Sequence, residues 1–440
     1  MQTLDNGPVI VIGAGLAGLT AARKLRQAGV EVIVLEVGDQ VGGRALTTTD
    51  GWCAGQYADH GGEIIDRSYH ALTTLCGELG VELSQPLAYG RPEPEDLSLV
   101  EGYLRVGRFL VDGGVIAQEE AARAAADIRA AAQAHPPQHH EIVEQWVRRS
   151  RLSTVPAAAV RSVSRMLTQL DPWDCDVHYI FGTPSADFRR VIGGTQRLAF
   201  ALAEGLDIRL NQTVARVRRV GGVTVETEDG TTYTGSRVIC AAGPFAMLTI
   251  GFDPPLPEEK VATAMSLLPA MAGKVLAQYA EGDAVREAFG SIVYTDGAIN
   301  SAWVGSMHLS EGPAIVAAFI NGEGRGVLAD EEASLRMVDD LVVKATGGPV
   351  TRLHGEVKNW WADPIAKGVT VMPSAAARTT IASVLSAVEH RTHLAGDYTD
   401  GPMSGTLEAA VRSGIRAADE ILRSPRRYHA DLIDERLSRA

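Results

Sequence analysis

Hydrophobic positions fall into short continuous runs and longer stripes at helical spacing. Val9-Ile10-Val11-Ile12 is a continuous run, a helical pattern follows it, and Val32-Ile33-Val34-Leu35 is a second run. That order predicts a βαβ unit. His70 to Leu79 has helical spacing. Arg91-Pro92-Glu93-Pro94-Glu95-Asp96 predicts a loop or domain crossing. Ile116 to Ala134 is alanine-rich with mixed charges and predicts a helix that stops at Pro136-Pro137. Glu141 to Arg149 and Ala157 to Leu170 predict two more helices, with apolar packing faces. Alternation over Ile208–Leu210, Val214–Val220, Val223–Thr227 and Arg237–Cys240, with Gly221-Gly222 and Asp229-Gly230 turns, predicts a β-meander. Pro254-Pro255 and Pro257 mark a second crossing. Lys274–Tyr279, Ser291–Tyr294 and Ala314–Ile320 then read as strands.

The first βαβ unit carries chemistry. Its turn is Gly13-Ala14-Gly15-Leu16-Ala17-Gly18, a GxGxxG motif between a strand and a helix. Gly13 permits the tight turn, Gly15 lets the backbone approach a pyrophosphate, and Gly18 lets helix and strand pack closely, with Ala17 between them. The helix N-terminus then offers unpaired N–H groups and the positive end of its dipole to phosphate. Glu36 closes the second run, where a carboxylate accepts hydrogen bonds from a ribose diol and disfavours a 2′-phosphate. The nucleotide is NAD or FAD on this evidence. Val41-Gly42-Gly43-Arg44 follows, with Gly43 beside a pyrophosphate and Arg44 offsetting its charge, or as an ordinary glycine turn with a surface arginine.

Composition narrows the classes. The chain has 440 residues, 45% hydrophobic and 22% charged, enough for two or three domains around a large core. Its net charge of −13 argues against nucleic acid or an anionic membrane as the main partner. No charged-then-apolar leader precedes the first strand and no apolar run is long enough to span a bilayer, which predicts a cytoplasmic location. Cys53, Cys76, Cys175 and Cys240 have no CxxC spacing, and His139-His140 has no cysteine partner nearby, so reduced thiols and no metal site are expected.

The segments after the βαβ unit resemble the flavin-containing amine oxidase superfamily. They are Val41-Gly42-Gly43-Arg44, then Asp59-His60-Gly61-Gly62-Glu63, then Arg190-Val191-Ile192-Gly193-Gly194-Thr195-Gln196-Arg197-Leu198. Asn359-Trp360-Trp361 follows, and finally His393-Leu394-Ala395-Gly396-Asp397 with Ser404-Gly405-Thr406-Leu407. The resemblance implies an α/β fold. A two-dinucleotide-binding, Rossmann-like FAD domain would span 1–83, 187–255 and 386–425, with an inserted α+β substrate domain at 84–186 and 256–385 and a tail at 426–440. It implies that Gly61 and Gly62 lie beside the flavin ring and that the Val214 backbone meets the adenine. Trp360 would belong to the tryptophan segment. The Asp397 carboxylate, after Gly396, would bond the ribityl hydroxyls, and Gly405, Thr406 and Leu407 would aim N–H groups at the pyrimidine end. Lys274 occupies the place of a lysine that holds a water near flavin N5.

Departures shape the functional expectation. Where monoamine oxidases have a flavin-linking cysteine and two cage tyrosines, this chain has Val369, Thr370 and Thr406, so the FAD is expected to be non-covalent and the aromatic cage absent. The arginine with which L-amino-acid oxidases grip a carboxylate would fall near Ile64. Glu63, flanked by Gly62 and Ile64, is either solvated at a turn or buried with a purpose. Arg325, in Asn321-Gly322-Glu323-Gly324-Arg325-Gly326, is either a solvated charge or projects into the cavity. Glu63, Arg325 and the aromatic Phe181 carry a narrower resemblance to the amide oxidases of lankacidin-type antibiotic biosynthesis, which oxidise an amide-bearing linear polyketide and close its ring. In that reading Glu63 is the base and Arg325 steadies the enolate. Phe181 stands where a tyrosine is expected and lacks its hydroxyl.

The expected enzyme is an FAD-dependent amine or amide oxidase with O2 as acceptor, acting on a small-molecule or polyketide substrate, and a homodimer by family habit. The alternatives are a generic monoamine or polyamine oxidase, a flavin desaturase, an NAD-linked dehydrogenase, and a protein that keeps a nucleotide only as structure.

Overall fold

A computed structural model describes residues 7–87, 98–181, 188–290 and 292–423. The predicted loop at 91–96 and the tail at 426–440 lie outside the described residues. A five-stranded sheet has the order Thr392–Leu394, Arg237–Cys240, Val9–Ile12, Val32–Leu35, Asp207–Arg209, with every pair parallel. Val9–Ile12 sits at its centre with all four residues buried. A strand covered on both faces has no solvent side, which is why it reads as an unbroken β-branched run.

One face of this sheet carries the helices Leu16–Gln27, Gln196–Ala203 and Leu407–Arg423. Two glycines set how closely they approach. A Cβ on Gly18 would stand 2.0 Å from Gly13 O, and one on Gly414 would stand 2.3 Å from Ala17 O. The other face packs Ile10, Ile12 and Leu35 against Val217, Val223 and Val225 of a four-stranded sheet. That sheet has the order Thr232–Gly235, Val223–Thr227, Val214–Arg218, Gly251–Asp253.

The single β-meander is therefore corrected. Its first and last segments, Asp207–Arg209 and Arg237–Cys240, belong to the parallel sheet, and only the middle ones form the second sheet. Arg237–Cys240 is buried along its whole length, whereas Val223–Thr227 alternates buried and half-buried, as a strand with one covered face does.

A seven-stranded sheet forms the other half of the molecule. Its order is Arg352–Lys358, Gly273–Tyr279, Ala314–Ile320, Ile299–Val304, Val293–Thr295, Arg108–Val111, Gly114–Val115. Val275, Ala277 and Tyr279 face a cluster closed by the helices Gly282–Ala288 and Glu331–Thr346. Leu276, Trp303 and Ala317 face the helices Gln118–Ala134, Val143–Ser150 and Thr154–Thr168. These helices match the predicted ones within about three positions. The alanine helix buries Ala121, Ala124, Ala125 and Ile128, a stripe at i, i+3, i+4 and i+7. No described helix is long and apolar enough to cross a membrane.

Candidate active site

The nucleotide-side residues converge at the carboxyl ends of the parallel strands. Gly13 has φ +100°. The helix Leu16–Gln27 starts at Gly15 with no side-chain cap and no acidic residue in its first turn, which leaves its leading N–H groups for an anion. A Cβ on Gly15 would meet nothing nearer than Gly42 O at 4.0 Å, so this face is an open cradle. Gly42 N donates to Ala14 O at 2.9 Å and brings the second glycine turn alongside, with Gly43 at φ +58°. Glu36 accepts from Ala14 N at 2.6 Å and from Gly38 N at 2.8 Å, so it braces the turn while each oxygen keeps a lone pair for a diol. Gln212 N donates to Glu36 O at 2.8 Å, which puts Val214 two residues from the same carboxylate strand end. Arg44 Nη2 lies 2.6 Å from Asp397 Oδ1, joining two signatures 353 positions apart. The donor set and the open glycine face fit a flavin dinucleotide.

The inner end of the cradle is the Gly61-Gly62 turn. A Cβ on Gly61 would stand 1.6 Å from Arg44 O, and one on Gly62 would stand 3.0 Å from Leu407 Cδ2. Leu407 begins the helix Leu407–Arg423, and Thr406 caps it by accepting from Ala409 N at 3.1 Å. Gly405 has φ +83°, and Thr370 Oγ1 donates to its carbonyl at 3.3 Å, so both threonines meet at this helix entrance. Gly396, at φ +139°, donates to Ser413 Oγ at 2.9 Å. Trp360 is buried, and its indole N–H donates to His60 O at 2.8 Å.

Against this turn stand four buried charges. Lys274 Nζ lies 3.1 Å from Glu63 Oε2 and donates to Gly61 O at 3.1 Å. Arg190 Nη2 donates to Glu63 Oε2 and lies 3.2 Å from Asp59 Oδ2. The Trp303 indole N–H donates to Glu63 Oε1. Asp59 Oδ1 accepts from Thr47 Oγ1 at 2.6 Å and from Thr195 N at 2.9 Å. Exposures are 0% for Asp59 and Lys274, 1% for Arg190 and 3% for Glu63. Burial pushes the Lys274 ammonium below its ordinary pKa, and the Glu63 carboxylate opposes that shift. Two carboxylates and two cations leave the cluster neutral, which makes its burial tolerable.

The sequence reading puts the guanidinium of Arg325 beside Glu63 in the cavity, and the structure corrects this. The guanidinium beside Glu63 is that of Arg190, not Arg325. The strand Ile65–Asp66 pairs antiparallel with Phe188–Arg189, and this pairing carries position 190 next to position 63. Arg325 lies on the 3₁₀ turn Gly322–Ala329, where its Nη1 donates to Gly322 O at 2.8 Å. Phe181 packs edge-on to Trp146, with ring centroids 5.0 Å apart, in the apolar cluster that also holds Trp303, Phe319 and Val369. Arg190, Asp59 and Trp303 were missed as site residues. The one signal for Arg190 was the Arg189-Arg190 doublet just before the apolar pair Val191-Ile192. A further pair lies near Arg190. Tyr57 stacks on His308 at 5.4 Å, and burial followed by the charge of Arg190 brings the His308 pKa down to about 4, so this imidazole is neutral at neutral pH.

Comparison with known proteins gives the family and the fold. Residues 16–422 match the family model of the flavin containing amine oxidoreductases. A Mycobacterium tuberculosis protein assigned by name as flavin-containing monoamine oxidase AofH is 30% identical, over 94% of this chain and 96% of its own. Polyamine oxidase 4 of Oryza sativa is 28% identical over 94% of this chain and 88% of its own. The solved structure of a putrescine oxidase superposes with a TM-score of 0.78 over 95% of this chain and 99% of its own, at 20% identity, a likeness of fold. The chain belongs to the flavin containing amine oxidoreductase family and is an FAD-dependent oxidoreductase acting on carbon–nitrogen bonds.

Proposed function

We propose that the protein is an oxidase of an amine or amide bulkier than a simple aromatic amine. The observation that carries this reading is the neutral cluster of Lys274, Glu63, Arg190 and Asp59 packed on the Gly61-Gly62 turn, with Thr370 and Thr406 meeting at the adjacent helix entrance in place of aromatic residues. Bound FAD supplies the redox chemistry, taking a hydride from the carbon next to nitrogen and passing its electrons to O2 as hydrogen peroxide. Gly13, Gly15, Ala17, Gly18 and Gly43 would cradle the pyrophosphate, and Arg44 would offset its charge. Glu36 would hold the adenosine ribose and Asp397 the ribityl chain. Lys274 would present its ammonium at the reacting edge of the ring, and Trp303 and Phe319, whose rings pack on each other beside it, would exclude water from the substrate.

Anaerobic mixing with a panel of primary, secondary and polyamines and N-acyl amines tests this. Bleaching of the flavin absorbance by at least one amine or amide, with peroxide formed on admitting air, is the expected result. A flavin that no carbon–nitrogen substrate reduces would overturn it.

A second reading extends the first to ring closure of an amide-bearing polyketide. The buried carboxylate of Glu63 favours it, because a hydrocarbon desaturase needs no such group. A carbon acid flanked by two carbonyls would lose its proton to Glu63 and attack the imine carbon. Glu63 holds three donors, two on Oε2 and one on Oε1, so Oε1 keeps a lone pair to take the proton. Glu63→Gln is expected to keep FAD and its reduction by substrate, to slow reoxidation because Lys274 loses an anchor, and to lose the cyclised product, read by mass spectrometry with a linear β-keto lactone amide.

A further inference from the structure

We infer that Arg190, braced by Asp59, is a positioning residue that fixes the Glu63 carboxylate and, through it, the place of the Lys274 ammonium. The inference rests on the reading that Lys274 faces the flavin.

The geometry forms one row. Asp59 is fixed at Oδ1 by Thr47 Oγ1 and Thr195 N, and its Oδ2 faces Arg190 Nη2 at 3.2 Å. The same Nη2 donates to Glu63 Oε2, and that oxygen faces Lys274 Nζ at 3.1 Å. Trp303 holds the other Glu63 oxygen. Every group in the row is inside the protein, so water cannot substitute for a missing partner. Lys274 has four rotatable side-chain bonds and stands near two aromatic faces, 5.3 Å from the Trp303 centroid and 5.7 Å from that of Phe319. Those faces attract a cation without fixing its position, because the attraction is broad and has no single direction. Among the described residues, directional contacts come from Gly61 O and Glu63 Oε2. The Gly61 carbonyl is part of the backbone, so the side-chain contact that can be adjusted is Glu63, to which Arg190 and Trp303 donate. Asp59 ties that orientation to both sides of the Gly193-Gly194 turn, through Arg190 before it and Thr195 N after it.

Removing Arg190 alone would leave two buried carboxylates with one cation, and a broken buried pair is strongly destabilising. The test therefore uses the charge-balanced double variant Asp59→Asn/Arg190→Gln, the conservative Arg190→Lys, and Lys274→Met as reference. The first readout is independent of turnover. Protein labelled with 15N-lysine is expected to show two slowly exchanging ammonium signals, from the buried Lys260 and Lys274, and the one absent in Lys274→Met is that of Lys274. It should broaden or be lost in the double variant and persist in Arg190→Lys. The second readout separates the half-reactions. Reoxidation of the reduced flavin by O2 should slow at least tenfold in the double variant, with reduction by substrate changed less than threefold and Arg190→Lys recovering most of the loss. An unchanged ammonium signal with both half-reactions unchanged would overturn the inference. So would loss of FAD from both Arg190 variants, which would make the row purely structural. If Lys274→Met itself reoxidises normally, the reading of Lys274 falls, and the ammonium signal alone decides the role of Arg190.

Discussion

Lys274 Nζ and Glu63 Oε2 form an ion pair at 3.1 Å with both side chains almost fully removed from water. The lysine comes from the seven-stranded sheet and the carboxylate from the glycine turn at the parallel-sheet half, so the pair joins the two halves of the molecule at the site. Lys274→Met removes the ammonium and leaves Glu63 and Asp59 to share Arg190, with Trp303 on Glu63, so a lower melting temperature is expected alongside the kinetic effect. Reoxidation by O2 is expected to slow by roughly tenfold or more, about 1.4 kcal/mol in barrier, with flavin reduction much less affected. Stopped-flow traces of the two half-reactions check this, and equal slowing of both would contradict it.

The cofactor is expected to leave the protein on denaturation. Position 369 is valine, and Thr370 and Thr406 stand at the entrance of the last helix, so no thiolate faces the ring from these positions. Among the cysteines, Cys76, Cys175 and Cys240 are buried, and burial pushes the Cys175 and Cys240 thiols up to about 12. Acid precipitation should release yellow FAD to the supernatant. Flavin fluorescence remaining with the washed polypeptide would contradict it.

Gly61→Ala should abolish cofactor retention. The added Cβ would stand 1.6 Å from Arg44 O, a backbone atom that cannot move without shifting the Arg44–Asp397 contact. A destabilisation of several kcal/mol is expected, in the range seen for overpacking of a closed site. Gly55→Ala, whose Cβ would meet nothing within 4 Å, is the control, with only the strain of a positive φ. Flavin-to-protein absorbance ratio and melting temperature read both variants.

Glu356 gives a pH dependence. Burial alone would raise its pKa, but bonds from His60 at 2.5 Å, His354 at 3.0 Å and Thr48 at 2.7 Å outweigh it and bring the value down to about 2. A carboxylate depressed in the folded state contributes stability that is complete above the unfolded value of 4.5 and is lost as pH falls toward 2. The contribution is at most ~3 kcal/mol before solvent screening of this partly exposed side chain. The difference in unfolding free energy between wild type and Glu356→Gln should therefore shrink between pH 4.5 and 2. A difference constant across that window in urea titrations would assign the role to packing instead.

Much of the cofactor half was legible in the sequence because its signals are local. Val9–Ile12 reads as a buried parallel strand since both faces are covered, Gly13 and Gly18 are glycines because backbone stands where a side chain would be, and Gly15 leaves an open face for a ligand. The alanine helix shows its own stripe. The meander was misread because alternation reports which faces of a strand are covered, not which sheet it joins. Glu63 could be singled out but not partnered, since a charge between Gly62 and Ile64 says only that burial would need compensation.

The sequence by itself therefore determined the βαβ cradle, the acid at position 36, the order of the flavin segments and the candidacy of Lys274 and Glu63. Each of these depends on spacing within about 30 residues or on motif chemistry. Only the tertiary structure decided that Arg190 and Asp59 join the buried charge cluster of Glu63 and Lys274, that Trp303 holds Glu63, and that Arg325 spends its guanidinium on its own turn. Buried charges choose partners by distance in a medium that screens them little. Those distances follow from strand pairing such as Ile65 with Arg189, 124 positions apart along the chain.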